Sequence, residues 1–562
     1  MNDAELSGDT LFGKRCLPSV EMSCSNSYAG TPQSPREHDG RDTLKIMAVT
    51  LIFAFLPHLV IAQTSTLPTV AQVAQEVRDY RLANEDHIIR ELNDFLSIPN
   101  IATDTPNIQK NAARLAGMLQ ARGIETHLLP IKGRGPVVFG SLSSPAAKHT
   151  VIFYAHYDGQ PVDPAAWTDG KPFEPALRDN AIEAGGKRIP FPTSSAKAPA
   201  LYNDDWRIYA RSSSDDKSPI VALLAALDAL RTKNIPLRVN LKLILDGEEE
   251  NGSPNLQRTL EQNKSLLSAD LLITGDGPVH QSGRPLVFFG NRGILGLNIT
   301  TYGPIRALHS GHYGNWAPNP AFQLAWLLAS MKSGDGRVLI EGFYDDVAPL
   351  GETEKKALDA MPNNDAELSR QLQFSKPEGD GKRLVDLLQL PSLNIRGLHS
   401  AYVGEAAQNV VPEKAEAALD VRLVKGEYPD KKFEQVLSHI RKQGFYVTSN
   451  VPTKEERLAH PHVIRVEKDV WNYPASRTSM DLPVSKALVR VVQDATGGTV
   501  VVQPTLGGSV PMYIFEDLNL PWIGVPIVNY DNHQHSSDEN LRLGHFWRGM
   551  EIYAAILADL DW

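Results

Sequence analysis

The chain has 562 residues, too many for one ordinary hydrophobic core, so two domains of unequal size are expected. Its 42% hydrophobic and 22% charged residues are typical of a folded globular protein and argue against long disorder. The formal net charge of −10, with no basic run along the chain, lacks the electrostatic pattern of a nucleic-acid-binding protein.

The N-terminal region predicts a targeting signal. Residues 1–46 are polar and lack helical or strand periodicity, which indicates a disordered tail or translated upstream sequence. Residues 47–62 form an apolar run behind a basic residue, the pattern of a secretory signal peptide cleaved after Ala62. We therefore expect an exported, periplasmic or secreted protein without stable membrane association, or a membrane-anchored one if the signal is retained. Because Cys16 and Cys24 both precede the cleavage point, metal ligands of the mature chain must be His, Asp and Glu.

Helices and strands alternate over the next part of the chain. The apolar spacing predicts helices at 70–97, at 108–121 and from Ser218, and strands at 136–142, 150–155, 239–245 and 270–274. Such alternation indicates an α/β fold, with a mostly parallel sheet and helices on both faces. Residues 163–208 form a long Pro-rich stretch whose local structure the pattern does not predict.

The pattern changes near residue 294. An α+β unit is predicted from strands at 294–302 and 415–424 and helices at 320–333 and 431–443. The α/β alternation then resumes, with a helix at 482–495, strands at 499–504 and 522–526, and a closing helix at 541–560. We therefore predict a catalytic domain split into 70–293 and 473–562, with a smaller domain inserted at 294–472.

Acidic and imidazole side chains follow three of the predicted strands. His156, the adjacent pair Glu249 and Glu250, and Asp276 each come just after such a strand. In open α/β sheets, ligands bind at the carboxyl ends of the strands. Adjacent carboxylates repel one another unless a cation neutralises them or one of them holds a proton. The sequence therefore predicts a cation site at this edge of the sheet.

Two further residues complete the candidate ligand set. Asp215 stands in a loop before a helix, and His535 precedes the last helix. Carboxylates and imidazoles of this kind form two-metal hydrolytic sites, in which one of two adjacent glutamates binds metal and the other accepts a proton from water. Asp158 lies two residues after His156 on an extended segment, so it would share a face with that ring and orient it. Each residue alone is also explained by an ordinary hydrogen bond, helix-dipole complement or turn, so the prediction rests on the combination.

At these residues the chain resembles the di-zinc peptidase family that includes carnosinase-type dipeptidases, succinyl-diaminopimelate desuccinylase, aminoacylases and glutamate carboxypeptidase. The resemblance runs from about residue 85 to the C-terminus. The family pattern of His-x-Asp, Asp-x-Lys, Glu-Glu-x-Gly-Ser, an acid and a late His matches His156, Asp158, Asp215, Lys217, Glu249, Glu250, Gly252, Ser253, Asp276 and His535. Features most similar to the carnosinase-type branch are Trp167, Phe173-Glu174-Pro175 and the run Asp215-Asp216-Lys217.

The resemblance implies a role for each candidate ligand. Asp215 would bridge two zinc ions. His156 and Asp276 would complete the ligands of one ion, and Glu250 and His535 those of the other. Carboxylate-rich sites also accept manganese or cobalt, so the sequence leaves the metal open.

The resemblance also implies the residues that act on the substrate. Glu249 would be the general base, and Asp158 would orient His156. The inserted domain would form a homodimer contact and supply His309, which would reach the partner's site and stabilise the oxyanion. Residues that match the family's substrate-binding site are Asn409, Arg422, Gly508 and Ser509.

Three positions depart from the family pattern, Ala210, Ser212 and Ser218. The Gly-Arg-Gly that usually precedes the bridging aspartate is Ala210-Arg211-Ser212 here, and Lys217 is followed by Ser218 instead of glycine. Added Cβ atoms would shift a tight loop, which affects rate and specificity more than metal binding. The stretch near 180–205 is also longer than is usual in the family.

The sequence thus predicts a zinc-dependent metallopeptidase that hydrolyses the amide bond of dipeptides or short peptides. An N-acyl-amino-acid deacylase of the same family is the alternative among enzymes, and a non-catalytic metal-binding homologue is the alternative of another class. A serine hydrolase and a thermolysin-like protease are disfavoured, because the sequence contains neither a Gly-x-Ser-x-Gly elbow nor a His-Glu-x-x-His motif.

Overall fold

The computed structural model describes residues 68–195, 199–498 and 500–562, except for the Trp471 side chain. These residues belong to one compact unit, Thr66–Trp562. The predicted tail at 1–46 and the predicted signal peptide at 47–62 lie outside the described residues. In the part of the chain that the structure describes, no helix has both the length and the apolar character needed to cross a membrane.

The elements are numbered in chain order within the described residues. The α-helices are α1 (Val70–Leu96), α2 (Thr105–Ala121), α3 (Lys217–Thr232), α4 (Leu256–Gln262), α5 (Ser310–Tyr313), α6 (Pro320–Met331), α7 (Glu352–Ala360), α8 (Asp365–Gln371), α9 (Leu384–Leu387), α10 (Pro429–Lys442), α11 (Lys454–Ala459), α12 (Pro483–Thr496), α13 (Tyr513–Asp517) and α14 (Leu543–Asp559). The strands are β1 (Glu125–Leu129), β2 (Val137–Leu142), β3 (His149–His156), β4 (Ala176–Arg178), β5 (Arg188–Ile189), β6 (Arg207–Tyr209), β7 (Val239–Asp246), β8 (Leu271–Thr274), β9 (Leu286–Phe288), β10 (Gly290–Asn291), β11 (Gly293–Tyr302), β12 (Leu308–His309), β13 (Ser392–His399), β14 (Val410–Val411), β15 (Lys414–Leu423), β16 (Tyr446–Thr448), β17 (Val463–Tyr473), β18 (Ser476–Arg477), β19 (Val501–Gln503), β20 (Trp522–Gly524) and β21 (Asn540–Arg542).

The largest sheet in the described chain has eight strands in the order β1-β2-β7-β3-β8-β20-β9-β19. Its centre is parallel, because the four adjacent strands β7, β3, β8 and β20 pair with one another in the same direction. Antiparallel pairs join β1 to β2, β2 to β7, and β20 to β9. The parallel centre is the feature that brings several strand ends to one edge.

Helices cover both faces of this sheet. Along β3, Phe153 packs edge-on against Tyr553 of α14 at 5.2 Å, and Tyr154 packs edge-on against Phe515 of α13 at 5.4 Å on the opposite face. Successive side chains of a strand point to opposite faces, so a strand buried on both sides is an uninterrupted apolar run. The predicted α/β fold, with helices on both faces of a mostly parallel sheet, is confirmed.

A second sheet in the described chain has five strands in the order β13-β15-β11-β17-β16. Alternate residues of β15, from Ala415 to Leu423, are buried in a core with apolar residues of α6 and α10. The other residues of β15 are only partly covered, so helices pack on one face of this sheet. The sheet is the smaller α+β layer that the sequence predicted, and the domain limits of 294–472 stay a prediction.

The Pro-rich stretch forms part of a small four-stranded sheet in the order β21-β6-β4-β5. Asn540–Arg542 pairs with Arg207–Tyr209 in antiparallel register. The predicted closing helix at 541–560 is therefore too long at its start, since strand pairing occupies residues up to Arg542 and α14 begins at Leu543. This pairing also holds the loop that contains His535 beside the loop that contains Asp215.

Candidate metal centre

Three neighbouring strands of the large sheet end at the candidate site. β3 lies between β7 and β8 and runs parallel to both, so their carboxyl ends meet at one edge. His156 is the last residue of β3, the 3₁₀ turn Glu249–Asn251 follows β7, and Asp276 lies just beyond β8. The sheet therefore places side by side the residues that the sequence predicted at strand ends.

The five predicted metal ligands lie together. Among the described residues, two groups of three side chains have ligand atoms within 4.8 Å of one another: His156, Asp215 and Asp276, and Asp215, Glu250 and His535. Asp215 Oδ1 lies 2.8 Å from His156 Nε2, and Asp215 Oδ2 lies 3.1 Å from His535 Nε2. One carboxylate therefore presents each of its oxygens to a different group, as a ligand that bridges two cations does.

The donor set fits a pair of divalent cations. Burial and the charge of Asp215 raise the pKa of Glu250 to about 8. Burial and the same charge raise the pKa of Asp276 to about 6. Carboxylates crowded in this way are stabilised by cations between them. Imidazole nitrogens and carboxylate oxygens are donors that zinc takes in hydrolytic sites, and manganese and cobalt accept the same set.

The imidazoles of His156 and His535 both lower the pKa of Asp215. Burial lowers the pKa of His156, but its hydrogen bonds with Asp158 and Asp215 raise it well above the ordinary value. The hydrogen bond with Asp215 raises the pKa of His535 to about 9, against the effect of burial. Burial opposes ionisation of Asp215, yet its hydrogen bonds with both imidazoles lower its pKa below the ordinary value. Asp215 is therefore a carboxylate, the form that a bridging ligand needs.

Asp158 contacts His156 and also supports the two glutamates. His156 Nδ1 lies 3.1 Å from the Asp158 carbonyl oxygen and 3.4 Å from Asp158 Oδ1. Both oxygens accept, so Nδ1 donates to Asp158, and Nε2, which faces Asp215, is the nitrogen that would bind a metal. The Asp158 carboxylate also accepts the backbone N–H groups of Glu249, at 3.1 Å, and Glu250, at 3.0 Å. The sequence predicted the first contact and missed the second.

Glu249 and Glu250 share a turn but differ in their surroundings. Glu250 is a member of the second ligand group, and its Oε2 accepts a hydrogen bond of 2.7 Å from Gln160 Nε2. Glu249 belongs to neither ligand group in the described part of the chain. Burial raises the pKa of Glu249 well above its ordinary value, His156 opposes this shift, and Asp276 adds to it. Glu249 is therefore a buried carboxyl group in the same turn as a ligand, without being a member of either ligand group in the described chain.

Glu539 organises the loop that contains Asp215, and the sequence did not predict it. The fully buried Glu539 carboxylate accepts the backbone N–H groups of Ser212, Ser214 and Asp215, each at 2.9 Å. It also accepts a hydrogen bond of 2.7 Å from Arg211 Nη1. The available sequence signal was the arginine just before the ligand, because a buried guanidinium needs a buried acid.

Predicted substrate residues form a cationic group near the 506–510 loop. Arg422 Nη1 donates to Ser509 Oγ at 2.6 Å, and Arg422 Nε donates to Asp420 at 3.3 Å. The backbone N–H of Arg292 donates to the Gly508 carbonyl at 3.1 Å. Burial, followed by the charge of Arg422, lowers the pKa of Arg292 to about 10. Arg292 was not predicted, and it adds a second positive charge beside Arg422.

His309 and Asn409 lie together on a separate two-stranded element. His309 pairs with Val410 across β12 and β14, and Ser310 N–H donates to the Asn409 carbonyl at 2.8 Å. The His309 side chain is exposed. Within the described residues, no hydrogen bond or ion pair joins His309 or Asn409 to the two ligand groups. The described part of one chain therefore joins neither residue to the candidate ligands by a hydrogen bond or an ion pair.

The chain was compared with known families and curated proteins. A family model described as peptidase family M20/M25/M40 matches residues 190–559. Cys-Gly metallodipeptidase dug1 of Schizosaccharomyces pombe is 25% identical over 502 residues, which covers 85% of this chain and 96% of that protein. Human Beta-Ala-His dipeptidase is 24% identical over 540 residues, which covers 92% of this chain and 98% of that protein.

Solved structures give a consistent result. The M20 family metallo-carboxypeptidase Sso-CP2 from Sulfolobus solfataricus superposes with a TM-score of 0.69 at 29% identity, covering 84% of this chain and 99% of that one. Human carnosine dipeptidase 1 superposes with a TM-score of 0.68, covering 88% of this chain and 99% of that one. At 22% identity the second match shows a shared fold.

Proposed function

This chain belongs to peptidase family M20/M25/M40 and is a hydrolase of amide bonds, and from that membership we propose that it is a di-zinc dipeptidase with Glu249 as general base. The observation that carries this proposal is the position of Asp215, whose two oxygens face two different ligand groups, with Glu249 in the same turn as the ligand Glu250. The dipeptidases among its relatives support dipeptides as the substrate class.

The chain's own residues divide the work of holding the metals. Asp215 would contribute one oxygen to each ion, with His156 and Asp276 completing one set and Glu250 and His535 the other. When bound, a pair of divalent ions supplies a Lewis acid for the scissile carbonyl and makes a water molecule acidic enough to serve as nucleophile near neutral pH. The imidazole and carboxylate donors support zinc as the metal.

Glu249 moves the proton. Its carboxylate accepts a proton from the attacking water and donates it to the amine nitrogen that leaves. Asp158 supports this role because it holds the Glu249 backbone through a hydrogen bond of 3.1 Å and contacts the His156 ring. The turn that contains the proton carrier is thus attached to a metal ligand.

Arg422 binds the substrate carboxylate. Its guanidinium is half-buried beside Ser509, and the positive charge of Arg292 lies near it. A charge-assisted hydrogen bond to a free carboxylate favours dipeptides and other substrates that end in an amino acid. The same contact would accept an N-acyl amino acid, so the substrate has to be tested.

A substrate panel tests the proposed function. We expect turnover of Cys-Gly and β-Ala-His, loss of that turnover after chelation, and recovery on addition of zinc. A dipeptide whose C-terminal carboxylate is replaced by an amide should react about 10–100-fold more slowly, because its contact with Arg422 loses the charge. Turnover of N-acetyl or N-succinyl amino acids without turnover of dipeptides would contradict the dipeptidase assignment in favour of a deacylase.

We also propose a homodimer. Trp316, Phe322 and Trp326, on α6 and just before it, are 81%, 61% and 67% exposed, which is an apolar surface of the kind that binds another protein. It lies close in sequence to His309, which has no hydrogen bond or ion pair with the ligand groups in the described part of its own chain. A second copy seated on this surface would bring His309 of the partner subunit to the oxyanion.

Charged residues on this surface should separate the subunits. We expect the double variant Phe322→Asp/Trp326→Asp to elute as a monomer with light-scattering detection. Its kcat should fall about 10²–10³-fold, the usual effect of losing one oxyanion donor. Leu458→Asp, at a site that is 79% exposed on α11, is the matched control and should stay dimeric and active. A wild-type monomer with full activity would contradict the dimer proposal.

A further inference from the structure

A buried asparagine connects the two loops that contain His156 and Asp215. Asn100 is fully buried in the segment between α1 and α2. Its Nδ2 donates to the Tyr157 carbonyl at 2.9 Å and to Ser212 Oγ at 2.8 Å. The backbone carbonyl of Asn100 accepts a hydrogen bond of 2.8 Å from the Gly159 N–H. One residue therefore bonds the loop after β3 and the loop before α3 at the same time.

Ser212 is one of the three residues at which this chain has a side chain where the family pattern has glycine. Its φ is +63°, in the left-handed region that favours glycine. Its backbone N–H is held by Glu539, and its hydroxyl accepts the hydrogen bond from Asn100. The buried hydrogen bond thus offsets part of the strain that a Cβ causes at this φ.

The two loops are closely packed where they meet, at Gly159, Asn100 and Ser212. A Cβ on Gly159 would lie 2.5 Å from Ser212 Oγ and 3.1 Å from Asn100 Nδ2. A second contact joins the same segments, because the fully buried Lys217 Nζ donates to the carbonyls of Phe95, at 2.8 Å, and Ile98, at 3.0 Å. Asn100 therefore bonds both ligand loops, and the carbonyls of Phe95 and Ile98 bond the first residue of α3, just after Asp215.

We propose that Asn100 and Ser212 are a positioning pair that sets the separation of His156 and Asp215. The pair thereby controls the affinity of the metal position that these two ligands share with Asp276. This inference rests on the proposed two-metal function. Metal–ligand distances tolerate deviations of only about 0.2 Å, and loss of a group that orients a ligand typically weakens metal binding about 10–100-fold.

The alternative role for Asn100 is purely structural: it would satisfy buried backbone groups and nothing more. Asn111 is the matched control for that role. It is also fully buried, and its Nδ2 donates to the carbonyls of Pro99, at 2.8 Å, and Asn107, at 2.9 Å. In the described chain no hydrogen bond joins its side chain to either ligand loop. Asn111→Ala should therefore lower stability without changing metal affinity.

Zinc titration against a competing chelator tests the proposal on the full chain. We expect Asn100→Ala to weaken one of the two zinc positions about 10–100-fold, and Asn111→Ala to leave both within about 2-fold. The kcat of Asn100→Ala should be low at limiting zinc and should recover at saturating zinc, with KM unchanged. Unchanged zinc affinity in Asn100→Ala, or an equal loss in both alanine variants, would overturn the proposal.

Ser212 variants give the same test if Asn100→Ala does not fold. Ser212→Ala removes the hydroxyl, while Ser212→Gly removes both the hydroxyl and the strain at φ +63°. We expect both variants to bind zinc more weakly at the same position as Asn100→Ala. Ser212→Gly should have a higher melting temperature than Ser212→Ala. The double variant Asn100→Ala/Ser212→Ala should bind zinc about as tightly as Asn100→Ala alone, because the two residues make one contact. If the losses of zinc affinity in the two single variants add up fully in the double variant, the proposal that the two residues act as a pair is wrong. A wild-type chain that binds no zinc would instead overturn the proposed function itself.

Discussion

Replacement of Glu249 by glutamine is expected to lower kcat by about 10²–10⁴-fold while both metal ions stay bound. Glutamine has the same shape, but its amide cannot accept the proton of the attacking water. Glu249 lies outside both ligand groups of the described chain, so its loss should leave the metal sites intact. Steady-state kinetics on a dipeptide, together with metal analysis of the same sample, measures both effects.

Glu248 provides the matched control for this variant. It is the preceding residue, it is buried, and its carboxylate accepts hydrogen bonds from Asn255 at 2.9 and 3.2 Å. A glutamine at position 248 keeps an oxygen that accepts from Asn255, so Glu248→Gln should retain kcat within a few-fold. A Glu249→Gln enzyme that keeps more than a tenth of the wild-type kcat would contradict the role of general base. Loss of one metal ion in that variant would instead make Glu249 a ligand.

Replacement of Glu539 by alanine is expected to lower the free energy of unfolding by about 3–5 kcal/mol. Glu539 and Arg211 are both buried, so the variant leaves the Arg211 charge without its partner. It also removes the acceptor of three backbone N–H groups in the loop that ends at Asp215. Urea unfolding of the metal-free protein measures the loss, and zinc titration of the folded variant should show weaker binding.

A second buried ion pair separates stability from metal binding. Glu427 and Lys432 form a buried pair at 2.6 Å next to the five-stranded sheet. Glu427→Ala should cost a similar free energy of unfolding but should retain zinc affinity, because this pair contacts no ligand loop in the described part of the chain. Equal zinc affinity in the Glu539→Ala and Glu427→Ala proteins would show that Glu539 only stabilises the fold.

The site residues that could be predicted from the sequence are those that lie at the ends of predicted strands. His156 ends an apolar strand, and Glu249, Glu250 and Asp276 come just after two others. The carboxyl ends of neighbouring parallel strands meet at one edge. A local pattern was therefore enough to group them. Two strands of the five-stranded sheet, β11 and β15, were predicted for a similar reason, since the alternation along β15 is visible in the sequence. The other three strands of that sheet, β13, β16 and β17, were not predicted.

The unpredicted part depends on residues that are far apart in the chain. Glu539 contacts Asp215 across 324 positions, and Asn100 contacts Ser212 across 112 positions. Neither an acid in a polar loop nor an asparagine after a proline carries a local signal of such a contact. The strand Asn540–Arg542 has three residues, too few for a period, so its last two residues were assigned to the helix that follows.

The most direct test of the account is a crystal structure of the zinc-loaded protein with anomalous scattering measured at the zinc edge. The account predicts two zinc peaks about 3.5–4 Å apart. Each peak should lie about 2.0–2.2 Å from a different oxygen of Asp215. One peak, or two peaks that do not share Asp215, would contradict the claim that this carboxylate joins two metal ions in one hydrolytic site.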